Sequence, residues 1–409
     1  MAHRYRLYPT AEQAAFMLDR HCADARFVWN LAVEQFNYGV RGRRGPGPAA
    51  RQKQLAEARK QFEWLAAGSS SVQQQALRDF DRAAEAFFTH THDRPTWRRK
   101  HLNEGFCIRD TSVRGLNRKW AQVFVPKLGW VKFRLSRRLP DGKLGMARVT
   151  YKSGRWHVAF PAPQLEVAAK PGRGQTVVGI DRGVATTLAL SDGAMLRAPI
   201  MRVREQKQLV RLQKQLARCC KGSHRRRKVK ARIARLHGRV ADRRRDWVEK
   251  TTTRIAATYG TIAVEKLPTR NMVRAPKPKP DPDNAGAYLP NGRAAKAGLN
   301  RKIYANCWGL IAQRLDHKTS ASGTFLVEVP AAYSSLECRN CGHISTENRK
   351  SQAEFECIAC GHEDHADIQA AATILARAIQ PALTSGPEAT PAHAGVLAQA
   401  RRPHDAQAA

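Results

Sequence analysis

Four of the nine cysteines form two Cys-x-x-Cys pairs, Cys338/Cys341 and Cys357/Cys360, with fifteen residues between them. Tetrahedral coordination of zinc by four cysteines needs two close pairs brought together by a loop. Four thiolates fill every coordination position, so the expected ion is structural, with no place left for water. Three acids stand where the local pattern changes. Asp181 closes the apolar run TVVGID, Glu265 closes TIAVE, and Asp367 opens ADIQAAATIL directly after the second cysteine pair. Carboxylates delivered to one place can hold two Mg2+ or Mn2+ ions. Such a pair clamps the attacking and leaving oxygens of a phosphodiester from about 3.5–4 Å apart. His343 and His362 each follow a Cys-x-x-Cys-Gly and read as polar neighbours of the knuckles. His362, Glu363, Asp364 and His365 read as a short polar connector, not as further ligands.

The elements that must position these residues follow from period and punctuation. TVVGID and TIAVEK are apolar at nearly every position, as in strands covered on both faces, and TFLVEVP predicts another strand. If the first two are parallel, Asp181 and Glu265 emerge at one carboxyl edge, where open α/β sheets bind ligands. VATTLALSDG predicts a second strand ending in an Asp-Gly turn. A basic helical region is expected over about 201–259, and a helix over 299–318. Upstream, Thr10 and Gln13 predict a capping box for a helix carrying Ala14, Leu18 and Cys22 on one face. Helices are also expected around Gln52–Leu65 and after Ser69. From about Phe106 the pattern alternates with period two, so QVFVPKLGWVKF, MARVTYKSG and RWHVAFPAP predict strands. Lys170–Gln175 reads as a linker, and Trp29, Trp130 and Trp156 read as core. The last thirty residues, rich in Ala, Pro, Gly and His, read as disordered.

Composition points to the partner. With 71 Lys+Arg against 34 Asp+Glu, the formal charge is +37, which calls for a phosphate-rich ligand. No apolar run reaches the roughly 18 residues of a membrane span and no signal peptide opens the chain, so a cytosolic protein near the nucleoid is expected. The five other cysteines, Cys22, Cys107, Cys219, Cys220 and Cys307, are scattered, which fits a reducing compartment. Residues 201–250 hold nineteen Lys/Arg and four acids. That excess is too one-sided for salt-bridge lacing and predicts a helical face tracking a phosphate backbone through Arg225, Arg226, Arg227, Lys228 and Lys230.

The order strand-Asp, hairpin, helix, strand-Glu, helix, strand, four-cysteine module, Asp-helix resembles the RuvC-like nuclease domain, of RNase H fold, in the TnpB family. The stretches that carry the resemblance are GIDRGVATTLALSDG, RRRDWVEKTTTRIA, IAVEKLPTRNM, AGLNRKIYANCWGLI, YSSLECRNCG and FECIACGHEDHADIQAA. RYRLYPTAEQ, ARFVWNLAVEQ, QALRDFDRAAEAFF and PKLGWVKF are similar to the family's helical recognition and wedge regions. The resemblance implies an RNA-guided, metal-dependent DNA endonuclease encoded by a transposable element. It would cut double-stranded DNA beside a short flanking motif, with a guide RNA from its own element. Asp181, Glu265 and Asp367 match the catalytic carboxylates, and Cys338, Cys341, Cys357 and Cys360 the zinc ligands. Implied boundaries are a wedge-like β-barrel over 1–10 and 100–169, a helical recognition region over 11–99, the RuvC-like domain over 170–378 with the zinc ribbon inserted at 334–363, and a tail over 379–409. Gln74 and Gln75 lie on the helix that faces the flanking motif in the family, and an amide can pair bidentately with adenine. One departure stands out. The family's two Asn after the third Asp are Gln369 and Thr373 here, so a non-cutting RNA-guided repressor is one alternative. An unguided structure-specific nuclease is another.

Overall fold

The computed structural model describes residues 2–39, 45–142, 144–162, 176–284 and 286–384. The linker expected over Lys170–Gln175 and the chain beyond 384 lie outside these residues, apart from their assignment to a unit. The chain divides into two compact units, one made of Met1–Gln164 and Val203–Arg239, the other of Leu165–Arg202 and Val240–Ala409.

In the first unit β1 (Ala2–Leu7) leads into α1 (Ala11–Phe16). Thr10 Oγ1 accepts the Gln13 backbone N–H at 3.2 Å while Gln13 Oε1 accepts that of Thr10 at 3.1 Å, the reciprocal cap written in the sequence. A π-helical turn, Met17–Cys22, joins α1 to α2 (Ala23–Gly39). Then come α3 (Pro48–Gln61), α4 (Glu63–Ala66) and α5 (Ser70–Phe88). α5 buries Val72, Ala76, Leu77, Phe80 and Ala84, a 3.6-period face, against the strands and α2. The strands are β2 (Glu104–Ile108), β3 (Val113–Asn117), β4 (Trp120–Val125), β5 (Gly129–Arg134), β6 (Ala147–Lys152) and β7 (Arg155–Pro161). They pair antiparallel in the order β2-β6-β7-β1-β5-β4-β3, so the N-terminal strand sits mid-sheet between β7 and β5. Trp156 is buried in this core; Trp29 and Trp130 are half-buried beneath the guanidinium groups of Arg98 and Arg114, at 3.8 and 4.3 Å.

The basic region is two helices, not one: α6 (Val203–Ala217) and α7 (His224–Thr258). Leu212, Cys219 and Val229 form a small core of their own where the chain turns back between them. The residues of α7 up to Arg239 belong to the first unit and those from Val240 to the second.

The second unit is built on β8 (Val177–Asp181), β9 (Leu188–Leu190), β10 (Met195–Leu196), β11 (Thr261–Lys266) and β14 (Phe325–Pro330), in the order β10-β9-β8-β11-β14. β8, β11 and β14 are mutually parallel, and β9 is antiparallel to β8 with Ile180 opposite Leu190. Between β11 and β14 lie α8 (Thr269–Met272), a two-residue ladder of β12 (Lys279–Pro280) with β13 (Tyr288–Leu289), α9 (Arg293–Asn306) and α10 (Trp308–Ser322). The single helix expected over 299–318 is therefore broken, at Cys307, which adopts a left-handed φ of 58°. β15 (Glu354–Glu356) and β16 (Glu363–His365) form a hairpin before α11 (Ala366–Thr384). The polar segment read as a connector is thus largely strand, and Asp364 pairs with Arg339 at 3.0 Å.

α11 lies directly on β8. A Cβ on Gly179 would stand 2.0 Å from Ala371 O and 2.8 Å from Leu375 N, so only glycine lets the helix backbone come this close. Ile374, Ala263 and Val329 seal the same contact from the helix, β11 and β14. Among the described residues no helix is long and apolar enough to cross a membrane.

Candidate active site

The parallel register determines where two of the acids fall. Val264 of β11 pairs with Ile180 of β8, so Asp181 and Glu265 occupy successive positions at the carboxyl ends of neighbouring strands. α11, packed across β8, supplies Asp367 from its first turn. Glu265 and Asp367 are buried, 6% and 8% exposed, and Asp181 is half-buried. Burial, then the charges of Glu265 and Asp367, push the Asp181 carboxyl up to about 7. Arg349 and the backbone hydrogen bond at Arg182 act in the opposite direction. A carboxyl raised by burial and by two neighbouring carboxylates stands where a cation would be favoured. That is the donor chemistry of a site for hard divalent ions. Among the described residues, however, only the four cysteines bring three or more ligand atoms within 4.8 Å of one another; the carboxylates stand farther apart.

The surroundings hold residues that sequence reasoning missed. Arg349, from the loop between the cysteine pairs, donates Nη2 to Asp367 Oδ1 at 3.3 Å. Its charge also acts on Asp181, so one cation serves two of the three acids. Arg182 is buried and donates to the Glu265 carbonyl, tying the two strand ends together. Ser334 donates its hydroxyl to Glu265 Oε1. The break at Cys307 turns both its neighbours onto the loop that follows Asp181. Asn306 Nδ2 donates to Val184 O at 2.9 Å, Asn306 Oδ1 accepts from Thr187 Oγ1 at 2.6 Å, and Trp308 Nε1 donates to Gly183 O at 3.2 Å. A non-glycine residue at positive φ costs energy, and here the cost sets three brackets beside the first acid. NCW lies within a stretch that carries the family resemblance and NRK at 348–350 does not, but neither spells out these bonds, so only the fold reveals these roles.

In the cysteine module, Cys341 and Cys357 Sγ lie 3.5 Å apart and Cys338 and Cys360 Sγ 3.7 Å. Sulfurs at the corners of a tetrahedron with Zn–S bonds of about 2.3 Å are about 3.8 Å apart, so the set fits zinc. The two halves repeat one turn: Gly342 N donates to Cys338 O and Gly361 N to Cys357 O, both at 2.8 Å, with each glycine at positive φ. Gln369 is wholly buried. It donates Nε2 to Glu337 O at 3.0 Å, and Thr373 donates to the same carbonyl at 3.3 Å.

The expected nucleic-acid contacts divide. Arg225, Arg227, Lys228 and Lys230 are exposed along α7. Arg226 is half-buried instead, donating Nη1 to Leu216 O at 2.6 Å and Cys219 O at 3.1 Å, where it satisfies carbonyls at the end of α6. Gln74 is half-buried, and its carbonyl accepts from Gln52. Gln75 is 4% exposed and its amide donates to Asp79 at 3.2 Å, so it faces the interior of its unit and not a groove of DNA.

Comparison with known proteins gives the family. A family model described as "Probable transposase" (IS605 OrfB) matches residues 161–275, a "Cas12f1-like, TNB domain" model matches 308–374, and a helix-turn-helix model of the same transposase family matches 1–38. An Escherichia coli K12 protein named "Putative RNA-guided DNA endonuclease InsQ" is 33% identical over 380 residues, spanning 92% of this chain and 91% of that one. The chain belongs to the TnpB family. A Streptomyces pristinaespiralis protein with the same description is 28% identical, over 92% of this chain and 88% of its own. A cryo-EM structure of a Cas12f1–sgRNA–target DNA complex aligns over 91% of this chain and 98% of that one, at TM-score 0.47 and 13% identity. Within the TnpB family the match to InsQ runs through both units, so it takes in the carboxylate site and the cysteine module alike.

Proposed function

We propose that this chain is an RNA-guided DNA endonuclease whose active site is the Asp181–Glu265–Asp367 cluster in an RNase H-like, RuvC-type domain. The observation that carries the reading is electrostatic. Three acids from two parallel strands and one helix meet where burial, reinforced by the charges of Glu265 and Asp367, holds Asp181 near 7, in a chain whose net charge is +37. Gathering buried acids costs stability, and a bound cation is what makes such a cluster useful. Two bound Mg2+ or Mn2+ ions would neutralise the phosphodiester, lower the pKa of the attacking water and support the leaving oxygen. Asp181, Glu265 and Asp367 would hold them; Arg182 and Ser334 keep the Glu265 end of the site in place. Arg349 is placed to meet the negative charge of the scissile phosphate beside Asp367. The four cysteines would hold one structural zinc.

The antiparallel sheet of the first unit serves in this reading as the wedge, α1–α5 as the recognition helices, and the exposed basic residues of α7 as contacts to the backbone of the guide–target duplex. Gln74 remains the candidate for reading the flanking motif. The ligands are a guide RNA from the chain's own element and a double-stranded DNA target, met in the cytoplasm. Gln369 and Thr373 bond to a carbonyl and leave all three carboxylates in place, which favours a cutting enzyme over a repressor.

The test is cleavage, with Mg2+, of a plasmid bearing a guide-matched target by the protein purified with its RNA. Asp181→Ala should lower the rate by at least about 10^3-fold while leaving guide-dependent binding intact. Guide-dependent binding with no cuts by the wild type would select the repressor, and cutting that survives removal of the RNA would select an unguided nuclease.

A further inference from the structure

The segment Ala331–Glu337, between β14 and the first cysteine, touches one acid of the carboxylate site and the helix that carries another. At its centre buried Ser334 donates to Glu265 Oε1. Its ends are held by one face of α11. Arg377 donates Nη1 to Pro330 O and Ala332 O, both at 2.8 Å, and Nε to Glu337 Oε2 at 3.0 Å. Gln369 and Thr373 both donate to the Glu337 carbonyl. Positions 369, 373 and 377 recur every four residues, so their side chains share one stripe of the helix. The first turn of the same helix carries Asp367. Glu337 is covalently next to Cys338, and Cys338 is buried in the cysteine cluster.

We propose that Ser334, Gln369, Thr373 and Arg377 are positioning residues that make the zinc ribbon and the carboxylate site one mechanical unit. The strap at 331–337 orients the Glu265 carboxylate through Ser334, and through Glu337 it sets α11, and with it Asp367, against the cysteine cluster. Gln369 and Thr373, the places where this chain departs from its family, are therefore a clasp on the ribbon, made through Gln369 Nε2 and Thr373 Oγ1. The inference rests on the nuclease reading and assigns the ribbon a part in it. Hydrogen bonds to ligating carboxylates typically govern about 10- to 100-fold in metal affinity. Because coupling between two binding sites is reciprocal in free energy, ions held at the carboxylates must also tighten zinc in the ribbon, and a more tightly held ion is expected to be surrendered more slowly to a chelator.

Both directions can be measured on the zinc-loaded full chain. Zinc release to a chromogenic chelator is followed with and without Mg2+, and the Mg2+ concentration giving half-maximal cleavage is measured with guide and target. Wild type should release zinc several-fold more slowly when Mg2+ is present. Arg377→Ala should abolish that difference and raise the half-maximal Mg2+ concentration about 10-fold. Ser334→Ala should raise the Mg2+ requirement similarly with zinc release in the absence of Mg2+ unchanged, and Ser334→Thr, which keeps the hydroxyl, should restore it. Should Arg377→Ala not fold, Thr373→Val removes one hydroxyl of the clasp and must weaken the Mg2+ effect on zinc release. Wild-type Mg2+ dependence in Ser334→Ala together with either clasp variant overturns the proposal, as does zinc release in the wild type that ignores Mg2+. A wild type that cuts nothing sinks the nuclease reading alone, since the zinc measurement still reads the coupling.

Discussion

Gly179 shows how one residue determines the distance between a helix and a strand. With Ala371 O only 2.0 Å from where a Cβ would stand, and that atom being backbone, no side-chain motion relieves a larger residue. Gly179→Ala should therefore lift α11 from β8, cost about 1–3 kcal/mol or more, and misplace Asp367. The expected outcome is a lower melting temperature and slower cleavage with zinc content unchanged; a neutral variant would refute the contact. His21 gives a pH prediction in the first unit. It is fully buried, touches Phe16 and Phe106, and bonds through Nε2 to Pro126 O at 2.9 Å. Burial lowers its pKa from 6.5 to about 4. The unfolded chain thus takes up a proton near 6.5 that the folded chain refuses until about 4. Stability is full above 6.5 and falls as pH drops toward 4, by about 3 kcal/mol in all. His21→Gln should flatten the melting-temperature curve relative to wild type between pH 6.5 and 4, and parallel curves would rule this out. None of this is visible in the letters, because a histidine's burial and a glycine's neighbour are set by distant residues.

At the scale of elements, the cysteine module and α11 form the decisive junction. The ribbon ends in β16 at His365, and Asp367 follows two residues later, with its N–H donated to His365 Nδ1 at 3.2 Å. Structural zinc in small modules contributes on the order of 10 kcal/mol of folding energy. Cys341→Ser should therefore release the zinc and loosen 331–365 in hydrogen exchange, and it should lower cleavage without altering a carboxylate. Retained zinc with unchanged activity would separate the module from the site. The two Cys-x-x-Cys pairs announced this module because ligand spacing is a local property. The break at Cys307 was not announced. Its physical cause is tertiary: Asn306 and Trp308 bond to the loop at 183–187, and those bonds outweigh the continuity of a helix.

For the whole molecule, the net charge of +37 makes association with nucleic acid dependent on salt. About ten phosphate contacts give a log–log slope of about −9 on duplex DNA, so affinity for target should fall steeply between 50 and 200 mM salt. Neutralising Arg225, Arg227, Lys228 and Lys230 together should shallow the slope by about 3–4, while Arg226→Ala should destabilise the turn after α6 and leave the slope nearly unchanged. Equal effects from the two would contradict the separation of exposed from capping residues. By itself the sequence determined the charge, the cysteine spacing, the Thr10 cap and the apolar strands that end in Asp181 and Glu265, since each depends on residues near one another in the chain. Only the tertiary structure decided that α6 and the first half of α7 group with the N-terminal unit, that Gln75 and Arg226 turn inward, and that Arg349 and Ser334 bond to two of the acids while Arg377 bonds to the segment at 330–337. Those outcomes depend on which distant backbone groups need a partner once buried, and one-dimensional spacing does not record that.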